Sequence, residues 1–235
     1  MSYFRINIYL KIKYFLLSFF ISNKSVEKKI STILNNYTAK ENTVLTSQLR
    51  VGFYLLLKYL KNKYPQKNEI ILNSYNLAEM VNICKNLGLK IVFTKLNENI
   101  FLLDKDLKKK INKKTLAVVA TNIFNNSYDL KKIKKICKLN QLALIEDNAI
   151  YFGNYIKKNN KKIYSGTYGD YSLHSFNIMK SVSAMYGGSV STNDKKFIDF
   201  TKKEMKNFKG FPILKYIKQC LIYVILKLLS IKLFY

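Results

Sequence analysis

The sequence predicts an α/β fold built around a mainly parallel sheet, with helices on both faces. Two observations lead to this prediction. Segments rich in β-branched and aliphatic residues alternate with segments of helical periodicity from residue 44 to residue 205. One strand-like segment, Thr115–Thr121, is apolar without alternation, which is typical of a strand covered on both faces.

The helices and strands are placed by these two kinds of apolar pattern and by residues that are typical of helix ends. The lysines Lys58 and Lys61 come late in the first helix, where cations favour the helix dipole. Gly88 ends the second helix, since glycine adopts the left-handed backbone of a helix C-terminus without strain. In order, we predict a helix over 44–63, a strand over 69–75, a helix over 77–87, a strand over 90–96, a helix over 104–111, a strand over 115–121, a helix over 129–139, strands over 142–146, 171–176 and 188–192, and a helix over 194–205.

The formal net charge of +27 comes almost entirely from lysine, because Arg5 and Arg50 are the only arginines. A charge of this size is typical of proteins that bind nucleic acid or anionic membranes. A basic membrane-surface protein is therefore one hypothesis. The heavy use of Lys, Asn, Ile and Tyr can also come from an A+T-rich genome, without selection for binding a polyanion. Because arginine, which reads phosphates and bases with its planar fork, is scarce, we expect no nucleic-acid partner.

The cysteines Cys84, Cys137 and Cys220 lie far apart and have no paired spacing. They fit a reducing compartment, so we expect a cytoplasmic protein without disulfides. The single histidine, His174, excludes any site that needs two histidines. We therefore expect no metal site.

Both ends of the chain, 1–43 and 207–235, are apolar segments interrupted by basic residues, and they flank a predicted domain over 44–206. Their longest uncharged runs, 14–23 and 219–226, are too short to span a bilayer. Two alternatives remain open. The ends lie in a membrane interface with their lysines reaching the headgroups, which would make the protein membrane-peripheral, or they are helices of the core or of a subunit interface.

Three segments carry the residues most informative about chemistry: 144–149, 166–180 and 186–194. They contain Leu-Ile-Glu-Asp-Asn-Ala, a Gly-Asp followed by Ser-Phe-Asn-Ile-Met-Lys, and a Gly-Gly pair. Ligands of parallel sheets bind at the carboxyl ends of strands, where Asp147 is expected. In this order and spacing the segments resemble the sugar aminotransferases of the DegT/DnrJ/EryC1/StrS family, over residues 45–194.

The resemblance implies the large domain of a fold-type I enzyme that uses pyridoxal 5′-phosphate. Lys180 would be the catalytic residue that forms a Schiff base with the cofactor aldehyde. Asp147 would keep the pyridine nitrogen protonated. The cofactor phosphate would bind Ser175 and the backbone N–H groups of Arg50 and Val51 at a helix start.

Further positions follow from the same resemblance. Asn122, beyond another strand end, would reach the ring hydroxyl, and Asn177 lies in the loop of the reactive lysine. The pair Gly187–Gly188 would let the backbone approach the cofactor closely. His174 would point to the opposite face of its strand from Ser175, so we expect it to have a packing role.

The sequence also departs from the family pattern. Ile150 stands where the family usually has Gln or His, Leu77 where an aromatic residue often stacks on the ring, and Tyr186 where an acidic residue precedes Gly-Gly. Family members that remove a hydroxyl carry His in place of the reactive lysine. Lys180 therefore implies transamination.

The function implied is transfer of an amino group from glutamate to a keto sugar nucleotide, for surface-polysaccharide synthesis, by a homodimer. Members of the family are longer than this chain, and we expect the small C-terminal domain that covers their site to be largely missing. The alternative is a truncated, non-catalytic remnant or structural partner of the family.

Overall fold

The computed structural model describes residues 23–123, 128–150, 152–177, 180–184, 186–209 and 212–229. The helices are α1 Asn23–Thr38, α2 Leu49–Lys63, α3 Ala78–Asn86, α4 Asp104–Lys110, α5 Lys131–Leu139, α6 Lys195–Lys206 and α7 Ile213–Leu229. The strands are β1 Asn42–Thr46, β2 Glu69–Asn73, β3 Lys90–Thr94, β4 Thr115–Thr121, β5 Ala143–Asn148, β6 Tyr155–Lys158, β7 Lys161–Tyr164, β8 Tyr171–Ser175 and β9 Gly188–Thr192.

A seven-stranded sheet forms the centre of the molecule, in the order β1-β9-β8-β5-β4-β2-β3. Strands β8, β5, β4, β2 and β3 are parallel to one another, whereas β9 runs antiparallel to both β8 and β1. All seven residues of β4 are buried, which is why its sequence is continuously apolar. The predicted mainly parallel α/β fold is confirmed.

Helices cover both faces of this sheet. On one face, Phe53 and Leu56 of α2 and Phe197 of α6 are completely buried, together with side chains of α3. On the other face, Leu107 of α4 and Ile133 of α5 close a second apolar cluster. Two covered faces give the three layers expected of the fold class.

The predicted helix over 44–63 is wrong at its beginning. Residues 42–46 form the edge strand β1, in which Val44 pairs with Val190 of β9, and the helix begins only at Leu49. The apolar residues near 44 fit either a strand or a helix by pattern alone. Pairing with a strand that lies far along the chain decides between them.

Sequence patterns also missed the hairpin of β6 and β7. Asn159 and Asn160 form its turn, and both have positive φ, at 48° and 58°. Asparagine tolerates this conformation, and two consecutive left-handed residues are typical of a two-residue hairpin turn. The Asn-Asn pair was the available signal.

The two terminal segments, 1–43 and 207–235, each contain a helix that contacts the protein body. In the first, α1 packs against β1 and β9 and buries Leu34 and Thr38, whereas residues 1–22 lie outside the described residues. In the second, α7 contacts the body through the buried Tyr223 and through Gln219, which accepts a hydrogen bond from Tyr186. Among the described residues, no helix is both long and apolar enough to cross a membrane.

Candidate active site

Three strands bring polar residues to one edge of the sheet. Asp147 on β5 is in register with Thr121 on β4 and with Leu173 on β8. Asp147 is the second-to-last residue of its strand, since β5 ends at Asn148. Because these strands are parallel, their carboxyl ends meet, and the loops that follow them surround a common site.

A cavity of about 200 Å³ opens at this edge. The starts of α2 and α3 form one wall, and the segments after β5, after β8 and before β9 form the other. The residues lining it are Gln48, Leu49, Arg50, Leu77, Glu79, Met80, Ala149, Ser175, Asn177, Lys180, Tyr186 and Gly187. Four predicted site residues, Arg50, Ser175, Asn177 and Lys180, are thus brought together, although Arg50 lies far from the other three in sequence.

Asp147 is a buried carboxylate next to the cavity, with a relative exposure of 3%. Burial raises its pKa to about 6, although the N–H of Ala149, 3.0 Å from Oδ1, and the positive charge of Lys180 act in the opposite direction. A carboxylate in this position is stabilised by any additional hydrogen-bond donor or cation that enters the site.

Lys180 is a half-buried amine that lines the cavity. Its backbone N–H donates to the Asn177 carbonyl at 2.9 Å, which holds the loop after β8. Burial lowers the pKa of the Lys180 ammonium, and the charge of Asp147 partly offsets this effect. A lowered pKa increases the fraction of neutral amine, which is the nucleophilic form.

The start of α2 faces the cavity with extended Gln48 as its N-cap residue. The N–H of Val51 donates to the Gln48 carbonyl at 3.1 Å, so it is used within the first turn of the helix. Val51 is not among the lining residues. The guanidinium of Arg50 lies 3.6 Å from the carboxylate of Glu79, and both side chains are about half exposed.

Asn122 directly follows β4 and contacts the end of β5, and it is not among the residues that line the cavity. Its backbone N–H donates to the Asp147 carbonyl at 2.9 Å, and its Nδ2 donates to Oδ1 of Asn148 at 2.5 Å. Its Oδ1 is buried and has no hydrogen-bond partner within the described part of the chain. Asn122 therefore supports the end of β5 and keeps one acceptor unpaired.

The two glycines before and within β9 bring the backbone of β9 against the start of α2. Gly187 has a φ of 148° and forms a bridge with Gln48. A Cβ at Gly188 would lie 2.6 Å from Cα of Leu49 and 2.7 Å from the Gln48 carbonyl carbon. Only glycine fits at this contact, which positions α2 beside Ser175, the partner of Gly188 on β8.

Sequence reasoning missed several lining residues, including Gln48, Glu79 and Met80. Glu79 lies in the first turn of α3, where an acidic residue is expected because it favours the helix N-terminus. The sequence contains no signal that Glu79 would contact Arg50. His174 is buried with its ring 5.3 Å from that of Phe152, and burial lowers its pKa to about 4. This environment agrees with the expected packing role.

Replacing Asp147 by asparagine is expected to stabilise the unliganded chain at pH 8 by about 1–3 kcal/mol. The folded carboxyl has its pKa raised from 3.8 to about 6. Its contribution to stability is therefore largest below about pH 4 and is lost as the pH rises through 6. Asparagine retains an acceptor for the Ala149 N–H and carries no charge.

Urea unfolding of both proteins between pH 4 and pH 8 tests this prediction. The stability difference should be constant above about pH 7 and should diminish towards pH 4. Asp199→Asn, at an exposed site, is the matched control and should change little at any pH. An Asp147→Asn protein less stable than wild type at pH 8 would contradict the prediction.

The chain belongs to the DegT/DnrJ/EryC1/StrS aminotransferase family, whose sequence profile matches residues 11–212. This confirms the resemblance on which the aminotransferase class and its cofactor, pyridoxal phosphate, were predicted. The segments that carried the resemblance, including Asp147 and Lys180, lie inside the matched range.

Two characterised relatives illustrate the similarity. GDP-perosamine synthase of Vibrio cholerae is 35% identical over 135 residues, which is 57% of this chain and 36% of the relative. UDP-4-amino-4,6-dideoxy-N-acetyl-β-L-altrosamine transaminase of Helicobacter pylori is 28% identical over 149 residues, 63% of this chain and 38% of the relative. The chain thus matches well under half the length of these relatives.

Solved structures confirm the fold. The Helicobacter pylori aminotransferase PseC, involved in pseudoaminic acid biosynthesis, superposes with a TM-score of 0.67 at 22% identity, over 75% of this chain and 46% of PseC. A GDP-4-keto-6-deoxymannose-3-dehydratase with a trapped PLP-glutamate geminal diamine gives a TM-score of 0.73 at 19% identity, over 85% of this chain and 54% of the dehydratase.

Proposed function

We propose that this chain binds pyridoxal 5′-phosphate and transfers an amino group from glutamate to a keto sugar nucleotide. The observation that carries this proposal is the pairing of a buried carboxylate, Asp147, with a half-buried amine, Lys180, beside a helix N-terminus. Each shifts the pKa of the other. Opposed acid and base groups at the edge of an α/β sheet are typical of a catalytic site.

The side chains fit the chemical groups of the cofactor. Asp147 has its pKa raised because it is buried without full compensation, and a protonated pyridine nitrogen would supply the missing donor and positive charge. The buried Oδ1 of Asn122, which has no partner among the described residues, would accept a hydrogen bond from the ring hydroxyl of the cofactor. When bound, the cofactor supplies an electron sink for bonds broken at the amino carbon.

The phosphate of the cofactor would lie at the start of α2. Ser175 offers a hydroxyl, and Arg50 offers its backbone N–H and its guanidinium, all on the cavity wall. A helix N-terminus favours an anion because its first N–H groups and its dipole point at the ligand. Because the Val51 N–H already donates to Gln48, we assign the phosphate contacts to Ser175 and Arg50 first.

Lys180 would hold the cofactor covalently through Nζ. Burial favours its neutral form, which can attack an aldehyde and can later accept a proton at Nζ. The Asp147 carboxylate keeps a compensating charge within the same site. Asn177 positions this lysine, since its carbonyl accepts the Lys180 backbone N–H.

The names of the relatives support a sugar nucleotide as the acceptor. Two of them are named for a GDP-linked and a UDP-linked amino sugar. Another relative, at 27% identity, is a GDP-4-keto-6-deoxy-D-mannose 3-dehydratase of Yersinia pseudotuberculosis. Lys180 stands where the resemblance places His in such dehydratases, which favours amino transfer over removal of a hydroxyl. The product would serve surface-polysaccharide synthesis.

We include a homodimer and a cytoplasmic location in this proposal. Leu77, at the rim of the cavity, and the nearby Tyr75 are each 60% exposed, and a second copy would cover them. Burying such apolar area is the usual driving force for association. The thiols of Cys84 and Cys137 are buried and free, as in proteins of reducing compartments. Sedimentation velocity tests the dimer.

A transfer assay tests the activity directly. Purified chain with pyridoxal phosphate, glutamate and GDP-4-keto-6-deoxy-D-mannose is expected to form an amino sugar nucleotide and 2-oxoglutarate, detected by mass spectrometry. Isotopic nitrogen in glutamate should appear in the sugar. Cofactor binding without transfer to this or to UDP-linked keto sugars would favour the non-catalytic alternative.

A further inference from the structure

Helix α7 presents an unusually apolar surface to solvent. Its described side chains include six large hydrophobic residues that are at least 36% exposed: Leu214, Ile217, Leu221, Ile222, Val224 and Ile225. Soluble surfaces rarely display so many aliphatic side chains together, and such patches mark sites of interaction.

The exposed residues form one broad face of the helix. At 100° per residue, Val224, Ile217, Leu221, Leu214 and Ile225 follow one another around the helix within about 100°. The opposite side meets the protein body, where Tyr223 is 3% exposed. The apolar face therefore points away from the sheet.

The charged residues of the sequence from residue 205 onwards all have the same sign. After Glu204 the sequence contains no acidic residue, and its ionisable side chains other than tyrosine and cysteine are lysines: Lys206, Lys209, Lys215, Lys218, Lys227 and Lys232. Lys215 and Lys218 are exposed on α7 itself. Lysines beside an apolar face can extend to lipid phosphates while the aliphatic residues enter the headgroup region.

A lipid surface fits these charges better than a second copy of the chain. In a symmetric contact the same face meets itself. Lys215 and Lys218 of two copies would then approach one another without an acidic partner on α7. An anionic bilayer instead attracts lysines and accepts aliphatic side chains at the same surface.

We propose that α7 is an interfacial helix that docks the protein on an anionic lipid bilayer by inserting its exposed apolar face. The helix would lie parallel to the surface, because its exposed apolar residues share one face and Tyr223 on the opposite side is buried against the protein body. Its contact with the site is direct, since Gln219 accepts a hydrogen bond from Tyr186 at 3.3 Å and Tyr186 lines the cavity. Docking would thus place the mouth of the cavity near the membrane.

Co-sedimentation with vesicles tests this inference and does not depend on cofactor or activity. The full 235-residue chain is expected to bind vesicles of phosphatidylcholine and phosphatidylglycerol mixed three to one. It should bind vesicles of phosphatidylcholine alone more weakly. Raising the salt concentration should reduce the first binding, because screening weakens the attraction of lysines to the lipid charge.

Variants on α7 separate the apolar and the charged contributions. Leu221→Gln is expected to weaken binding to the mixed vesicles by about tenfold or more, since it removes a buried aliphatic side chain from the interface. Lys218→Gln should weaken it by about fivefold. Leu139→Gln, at a residue 73% exposed on α5, is the matched control and should bind as wild type.

Three results would overturn the proposal. The first is wild-type protein that stays in solution with both kinds of vesicle. The second is vesicle binding that Leu221→Gln leaves unchanged, which would place the contact elsewhere. The third is a dimer in sedimentation velocity that Leu221→Gln dissociates, which would assign the face to a second copy. Circular dichroism of the variants confirms that they are folded.

Discussion

Replacing Lys180 by alanine is expected to reduce covalent attachment of pyridoxal phosphate to background level. Wild-type protein incubated with the cofactor and reduced with borohydride should carry one adduct, located by peptide mapping at Lys180. The variant should lack both this adduct and the visible absorbance of bound cofactor. No other change in this chain should have a larger effect on the site.

The physical reason is that Lys180 has an amine of lowered pKa and also lies at the cavity. Burial lowers the pKa of its ammonium, so more of the amine is neutral near pH 8 than for an exposed lysine. Its side chain also lines the cavity that contains Ser175 and Arg50, which would hold the phosphate. Binding at the phosphate raises the local concentration of the aldehyde at one amine.

Lys67→Ala is the matched control. Burial lowers the pKa of Lys67 as well, but its Nζ donates to the Gln141 carbonyl at 3.1 Å, outside the cavity. The control should form the adduct as wild type does. An adduct that persists in Lys180→Ala, or that maps to another lysine in wild type, would contradict the assignment. A folded wild type that forms no adduct would favour the non-catalytic alternative.

Replacing Gly188 by alanine is expected to destabilise the chain by about 1–3 kcal/mol and to weaken cofactor binding by at least tenfold. The new Cβ would overlap the backbone of Leu49 and Gln48, with contacts of 2.6 and 2.7 Å. Both partners are main-chain atoms, so a rotamer change cannot relieve the overlap. The start of α2 must move away from β9, and Arg50 then moves away from Ser175.

Urea unfolding and titration with pyridoxal phosphate measure the two effects. Ser189→Ala, the next residue on β9, is the control. Its hydroxyl is buried and has no partner among the described residues, so removing it should cost little. Wild-type stability and affinity in Gly188→Ala would mean that the backbone contact between β9 and α2 does not shape the site.

The candidate site residues Asp147, Ser175 and Lys180 could be predicted because they lie in short sequence motifs that follow one another in a fixed order. Ser175 ends β8 and Lys180 follows it in the next loop, while Asp147 lies near the end of a strand whose apolar residues identify it. The local pattern is strong in β4 and in the first half of β5, because strands that are buried on both faces favour an apolar run. The same signal identified β4 over its whole length.

Other features could not be predicted because they depend on contacts between distant segments. The pairing of β1 with β9 makes residues 44–46 part of a strand, although they were expected to begin a helix. The ion pair of Arg50 and Glu79 arises only when α2 and α3 pack side by side. Neither pairing leaves a periodic signal in the sequence.

The sequence by itself determined the class of the protein: an α/β sheet of buried strands, with a lysine, a carboxylate and a glycine pair in the order of one aminotransferase family. These depend on local periodicity and on motif spacing. Tertiary structure alone decided which groups act on one another. The raised pKa of Asp147, the lowered pKa of Lys180 and the use of the Val51 N–H inside α2 result from burial and from distances through space. The exposure of the apolar face of α7 was decided in the same way, because a helix that is apolar on most sides does not specify which side the protein body covers.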